Sequence, residues 1–305
     1  MSILDNIKKG QTQKPLRLMI VGVEGVGKST AGAAMPNPIF LCGEDGLVGK
    51  QFAETASFTP SSWGDVLQFC DELVAANGAG YKTLVVDTLD WLEPLLYAHV
   101  VASAKKAEIR SIEDFGYGKG YIVAQQEARN LLSRLDRLNG CGLAVCILAH
   151  CAVKTFHNPD GDDYDRYEPK ANAKIAGLFR EWCDAVLFAQ FEQFIKKDGM
   201  KAKAIGGENR IVHTVHSAAW DAKNRFGLPA VLPLDMGAIL EAIQNGQPAD
   251  TSTLKTRLEG LVAQLPEGEK RDKATAWLRA GKFTPQQLQV AINKIKTELE
   301  LNNAN

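Results

Sequence analysis

The residues Gly22-Val23-Glu24-Gly25-Val26-Gly27-Lys28-Ser29 fit the pattern G-x-x-x-x-G-K-[ST]. Glycines at this spacing let a backbone wrap closely around an anion. The loop amides and the start of the following helix then point their N–H groups at it. The pattern is that of a phosphate-binding P-loop. Lys28 would reach the β- and γ-phosphates of ATP, Ser29 would ligate Mg2+, and Thr30 would continue the cradle into the helix. The flanks agree. Leu16–Val21 is an apolar strand, and Ser29–Ala34 opens as a helix.

A second acid belongs with this loop. Leu84-Val85-Val86-Asp87 is an apolar strand ending in aspartate, the Walker B pattern. Asp87 would hold the Mg2+ shell from the strand next to the P-loop. The next residue is Thr88, whereas many AAA-type ATPases carry the water-polarising glutamate there. Glu44 follows the strand Ile39–Cys42, and catalytic groups in open α/β sheets gather at the carboxyl ends of strands. Glu44 is therefore either the general base for water or a solvated acid in the turn Gly43–Gly46.

The elements that must position these groups alternate. Strands are predicted at Leu16–Val21, Ile39–Cys42, Thr83–Asp87, Gly142–Ala149 and Asp184–Phe191. Helices are predicted at Trp63–Ala76, Leu92–Ala107, Gly120–Leu138 and Lys174–Trp182, the first opened by a capping box from Ser62 to Asp65. This alternation predicts a mainly parallel sheet covered on both faces. Three short strands at Phe194–Ile205, Ile211–Val215 and Ala218–Ala222 would form an antiparallel extension, and a helix at Met236–Gln244 would close the core. The expected core is residues 1–244, with 1–14 as an N-terminal arm. A polar linker follows at 245–252, then a small helical domain at 253–305 built from Thr253–Gln264, Glu269–Ala280 and Thr284–Leu301.

Composition narrows the class. The 305 residues carry a net charge of −1, so the chain as a whole has no nucleic-acid footprint. Residues 252–305 hold nine Lys/Arg against six Asp/Glu. That basic tail is compatible with DNA, and equally with solvated helices. No apolar run approaches a membrane span, so no membrane partner is expected. Six cysteines lie scattered without a C-x-x-C pair, and their spacing with His150 and His157 matches no structural zinc site. Reduced, buried thiols are the simplest account.

Several segments in this order resemble RecA-type recombinases. Glu44 lies at the end of the strand after the P-loop helix. Glu108–Gly120 takes the place of a first DNA-binding loop, with Phe115, Tyr117 and Lys119 facing DNA. Cys151–Ala173 takes that of a second, with Lys154, Phe156, Arg166 and Lys170. His150 stands where RecA proteins carry a glutamine that senses the γ-phosphate; it is that switch with another donor, or a buried polar residue. Lys223 and Arg225, in Ala222–Pro229, resemble the basic pair that reaches a neighbouring subunit's nucleotide.

Together with Glu44–Leu47, Asn158–Tyr167 and Glu181–Ala185, these segments resemble the phage-encoded RecA-like ATPases, a family containing phage single-strand annealing proteins. The resemblance spans about residues 14–245. It implies a RecA-like P-loop NTPase core, α/β in class, with ATP and Mg2+ as cofactors. It implies single-stranded DNA and a cognate single-strand binding protein as partners, nucleotide at the junctions of a homo-oligomeric ring or filament, and residence in the cytoplasm of an infected bacterium. The second loop is not basic: five acids oppose Lys154, Arg166, Lys170 and Lys174 between 151 and 175. Its aromatics are base platforms or packing anchors. Three functions fit: a DNA-stimulated recombination ATPase, an ATP-dependent loader or remodeller of replication proteins, and a nucleotide-dependent scaffold with little turnover.

Overall fold

The computed structural model describes residues 14–43, 47–198, 201–244, 251–266, 268–281, 283, 287–288, 291–292 and 295. The chain runs β1 (Arg17–Gly22), α1 (Lys28–Ala33), β2 (Pro38–Cys42), β3 (Ala56–Phe58), α2 (Trp63–Ala75), β4 (Thr83–Asp87), α3 (Leu89–Ser103) and α4 (Lys119–Gly140). It continues β5 (Ala144–Phe156), β6 (Tyr164–Pro169), α5 (Ala173–Trp182), β7 (Ala185–Asp198), β8 (Lys201–His213), β9 (Lys223–Asn224), β10 (Val231–Pro233) and α6 (Met236–Gln244). Helices α7 (Thr251–Gln264) and α8 (Glu269–Ala280) follow.

The sheet order is β10-β8-β7-β1-β5-β4-β2-β3, with β6 on β5 and β9 on β7. From β7 to β3 the strands are parallel, and β8 and β10 add antiparallel pairs. This is the predicted α/β class. In β1, Leu18 and Ile20 face one core with Phe40, Val85, Leu148 and α6, whereas Met19 and Val21 face the other with helices α2 to α5. Burial on both faces explains why β1 reads as a continuous apolar run rather than an alternation. The Ser62–Asp65 capping box closes as predicted.

The structure corrects four expectations. The Asp87 strand is not next to the P-loop strand: β5 lies between β1 and β4. Strand β5 does not stop at Ala149 but continues to Phe156 and turns into β6, so Cys151–Ala173 holds a β-hairpin where a loop was expected. Its cross-strand pairs Thr155–Asp165 and Phe156–Tyr164 explain the extension. Residues 218–222 form only isolated bridges at Trp220. Helix α3 starts at Leu89 and keeps Pro94 inside, forgoing the bond to the Asp90 carbonyl. Residues 245–250 of the expected linker, and Thr284 with Pro285, lie outside the described residues, and α7 begins at Thr251. The C-terminal helical residues share their own apolar cluster of Leu258, Val262, Leu278, Leu288 and Ile292.

Arg17 at the start of β1 makes a two-pronged contact with Asp184 just before β7, at 2.8 and 2.9 Å, and Arg225 adds a third bond at 2.9 Å. Burial alone would raise the Asp184 carboxyl, but the two guanidinium groups outweigh it and hold it below the ordinary value. A depressed folded pKa contributes stability above the unfolded value, roughly pH 4, and loses it as pH falls through the folded value. Wild-type stability should therefore drop more steeply below about pH 4 than that of Asp184→Asn, followed by denaturant titration across pH. Parallel pH profiles would contradict this role of the pair.

Candidate functional site

The site grows from the end of β1. Gly22 approaches β7 so closely that a Cβ there would stand 2.5 Å from the Ala189 carbonyl oxygen. Val26 is fully buried and pins the middle of the loop. Gly27, at φ 99°, turns the chain into α1 through a left-handed conformation that glycine adopts without strain. Lys28 is 5% exposed, and its ammonium donates to the carbonyls of Gly22 at 3.1 Å and Val23 at 3.0 Å. Burial lowers its pKa.

A pocket of about 230 Å³ opens over the loop, lined by Gly25, Gly27, Lys28, Ser29 and Thr30 together with Asp87, His150, Cys42, Leu47 and Phe52. The register explains the convergence: Gly22 pairs with His150 across β1 and β5, and Cys42 pairs with Asp87 across β2 and β4. Burial raises the Asp87 carboxyl, against the pull of a hydrogen bond from the Ser29 hydroxyl and the charge of Lys28. A half-buried carboxylate beside a hydroxyl is a hard-oxygen pair that fits Mg2+. Among the described residues no group of three metal-ligating side chains gathers, so a cation here would draw further ligands from phosphate and water. Thr88 Oγ1, next to Asp87, is buried without a hydrogen-bond partner.

His150 is held by a residue the sequence reading missed. The Asp90 carboxylate accepts from the His150 backbone N–H and from its ring Nδ1, both at 2.9 Å. Burial alone would raise the Asp90 carboxyl, but the bonds from His150 hold it below the ordinary value. Only its place three residues after Asp87, in the first turn of α3, could have signalled it. Leu47 and Phe52 were also missed; they add apolar lining to the pocket. Arg210 on β8 was missed too. A Cβ on Gly27 would meet its Nη1 at 2.8 Å, and among the described residues no carboxylate pairs with it.

The other predicted residues separate. Glu44 lies outside the described residues, though Cys42 and Leu47 on either side of it line the pocket. Glu24 is not among the residues lining the pocket and pairs with Lys170, which directly follows β6. Lys170 is thus bound to the P-loop itself. Arg166 is buried, pairs with Asp221 and lies over the Phe156 ring. Phe156 packs on Tyr164 at 5.2 Å, the behaviour of a packing anchor. Lys154 donates to the Pro169 carbonyl at 3.0 Å. In the first loop Phe115 turns into the core, whereas Tyr117 is fully exposed between two left-handed glycines and Lys119 is exposed beside it. Helix α4 spans 22 residues, about 33 Å, and ends where β5 begins. Its first turn therefore lies towards the P-loop edge of the sheet.

Lys223 and Arg225 sit at the opposite edge. Lys223 is level with Val186 at the start of β7, whereas the P-loop is level with Ala189. Its ammonium donates to the carbonyls of Glu181 and Cys183 at 2.7 and 2.6 Å, closing the carboxyl end of α5, where a cation is favoured. Arg225 is held by Asp184. The structure does not bring either residue to its own chain's pocket.

A family model described as an AAA domain matches residues 14–226. The chain belongs to the AAA-domain family. As an AAA domain it is a P-loop ATPase, and the matched span contains the P-loop, Asp87, His150 and the hairpin. No curated protein matches the chain. Among solved structures it is similar to the RadB recombinase, with 13% identity and a TM-score of 0.38 over 68% of this chain and 84% of that one. It is also similar to a KaiC-like protein from Pyrococcus horikoshii OT3, with 12% identity and a TM-score of 0.33 over 66% and 78%. No described helix of this AAA domain is long and apolar enough to cross a membrane.

The tight contact at Gly22 is testable. Gly22→Ala should destabilise the AAA domain by about 1–3 kcal/mol, because the clashing atom is backbone and cannot swing aside. A denaturant midpoint equal to that of wild type would show that the loop gives way freely.

Proposed function

We propose that the chain binds and hydrolyses ATP with Mg2+ and works as a homo-oligomer on single-stranded DNA in recombination, promoting annealing or strand exchange. The observation that carries the nucleotide part is the convergence of Lys28, Ser29, Asp87 and His150 on one pocket over the P-loop. Lys28 binds the β- and γ-phosphates in place of the loop carbonyls it now holds. Ser29 and Asp87 hold Mg2+, which when bound neutralises charge on the phosphate oxygens. Glu44 accepts the proton of the attacking water. His150, on the strand between β1 and β4, contacts the terminal phosphate. Leu47 and Phe52 give the base an apolar face.

The DNA part is supported by Tyr117 and Lys119, an exposed ring and an exposed cation on a glycine-spaced loop. A ring in that setting can stack on a base, and the ammonium can meet a phosphate. The hairpin contributes less than expected, because Lys154, Phe156, Arg166 and Lys170 are engaged within the chain. Action of Lys223 and Arg225 on a neighbour's nucleotide would require exchanging the α5 carbonyls and Asp184 for phosphate. A loader or remodeller is the second reading, favoured by the exposed Ile122 and Val123 that adjoin Tyr117 at the start of α4. Apolar side chains there suit a protein partner, and a cognate single-strand binding protein is the first to try.

Turnover tests the nucleotide site. Lys28→Ala should abolish ATP binding or hydrolysis, and Glu44→Gln should retain binding while slowing hydrolysis by about 10²-fold or more. Wild-type turnover in either variant would remove that assignment. The rate should rise with single-stranded DNA; a rise only with a second protein would favour the loader reading.

Salt titration tests the DNA loop. With ATP and Mg2+, Tyr117→Ala should weaken single-stranded DNA binding by about 1–3 kcal/mol. Lys119→Ala should flatten the dependence on salt by about one phosphate contact. If wild type fails to bind at low salt, the recombination reading falls and the loader reading takes its place.

A further inference from the structure

Resting on the ATP-binding reading, we propose that Asp90 is the positioning residue through which His150 distinguishes a triphosphate from a diphosphate. The argument begins with backbone pairing. Strand β5 stays in register with β1 as far as Gly22–His150, but its pairing with β4 ends at Val86–Ile147. Between that point and Cys151, where β6 takes over the same edge of β5, no strand receives the His150 N–H. The Asp90 carboxylate takes that place for His150, accepting the backbone N–H with one oxygen and the ring Nδ1 with the other.

An ionised carboxylate only accepts, so Nδ1 must carry the proton. That choice leaves Nε2 as the ring nitrogen open to the phosphate pocket, and carrying the second proton of an imidazolium it donates to a phosphate oxygen. With both contacts on one carboxylate, neither the ring nor its strand can shift alone. The carbonyl on the same edge is fixed too: the His150 carbonyl accepts from Lys170 N at 2.8 Å. Asp90 is itself anchored in the first turn of α3, where a negative charge is favoured. Asp90 touches no substrate in this scheme; it acts through the ring it holds.

The test uses the full chain with Mg2+, and binding of ADP and of a non-hydrolysable ATP analogue. Asp90→Asn keeps the shape but places an amide against Nδ1; Asp90→Ala removes the contact. Each should lower affinity for the triphosphate roughly tenfold or more, the worth of one charge-assisted phosphate contact, and leave ADP affinity unchanged. His150→Ala should do the same, and the Asp90→Asn/His150→Ala double variant should be no worse than His150→Ala alone. A melting temperature near that of wild type for Asp90→Asn separates this from misfolding.

Three results overturn the proposal while leaving the ATP site standing. These are unchanged triphosphate affinity, an equal fall for ADP, or effects of the two variants that add. A wild type that binds neither nucleotide overturns the ATP-binding reading and the proposal together.

Discussion

Strand β5 is the constraint on which the site depends. It is wedged between β1 and β4 and paired in parallel register with both. Its width sets the gap between the P-loop and Asp87, and the end of its pairing with β1 places His150 in that gap. Parallel pairing allows no local slip, because a shift of one residue would reverse every side chain and drive Cys146 and Leu148 out of one core and Val145 and Ile147 out of the other. Two close-packed cores therefore hold a largely polar site at their edge. Strand β7, parallel to β1, tightens the same arrangement from the other flank, where it presses Ala189 against Gly22.

Much of this was legible in the residues. A strand and a helix joined through an eight-residue motif are a local signal, and so is an apolar run ending in Asp87. The bounds Thr83–Asp87, Met236–Gln244 and Glu269–Ala280 match the observed elements because period and breakers agree there. Strand order was not legible, since an apolar run carries no mark of its neighbours; hence the error over β5. The hairpin was missed because its strands are half exposed, and their acids and aromatics read as loop. Asp90 was missed because its meaning depends on His150, sixty residues away.

The basic residues teach a separate lesson. Lys154, Arg166, Lys170, Lys223 and Arg225 look like one class in the sequence, cations near aromatic or glycine-rich segments. In the fold each is committed differently: to a carbonyl, to Asp221, to Glu24, to a helix end and to Asp184. Those partners lie far away along the chain, so pattern alone leaves the charges looking available. Tyr117 and Lys119 stay free for the opposite reason: the left-handed turn around them holds them off the core.

The unbroken course of β5 has a mechanical consequence. Thirteen residues run from the sheet centre through His150 to Phe156, the last cross-strand pair before the hairpin turn, and β6 pairs with the outer half. Such a rod does not bend at one point. A small rotation imposed at the pocket would sweep the far end through a larger arc, with Lys170 on Glu24 acting as a tether at the pivot. The hairpin is geared to the phosphate site like the long arm of a lever, whatever it meets at its tip.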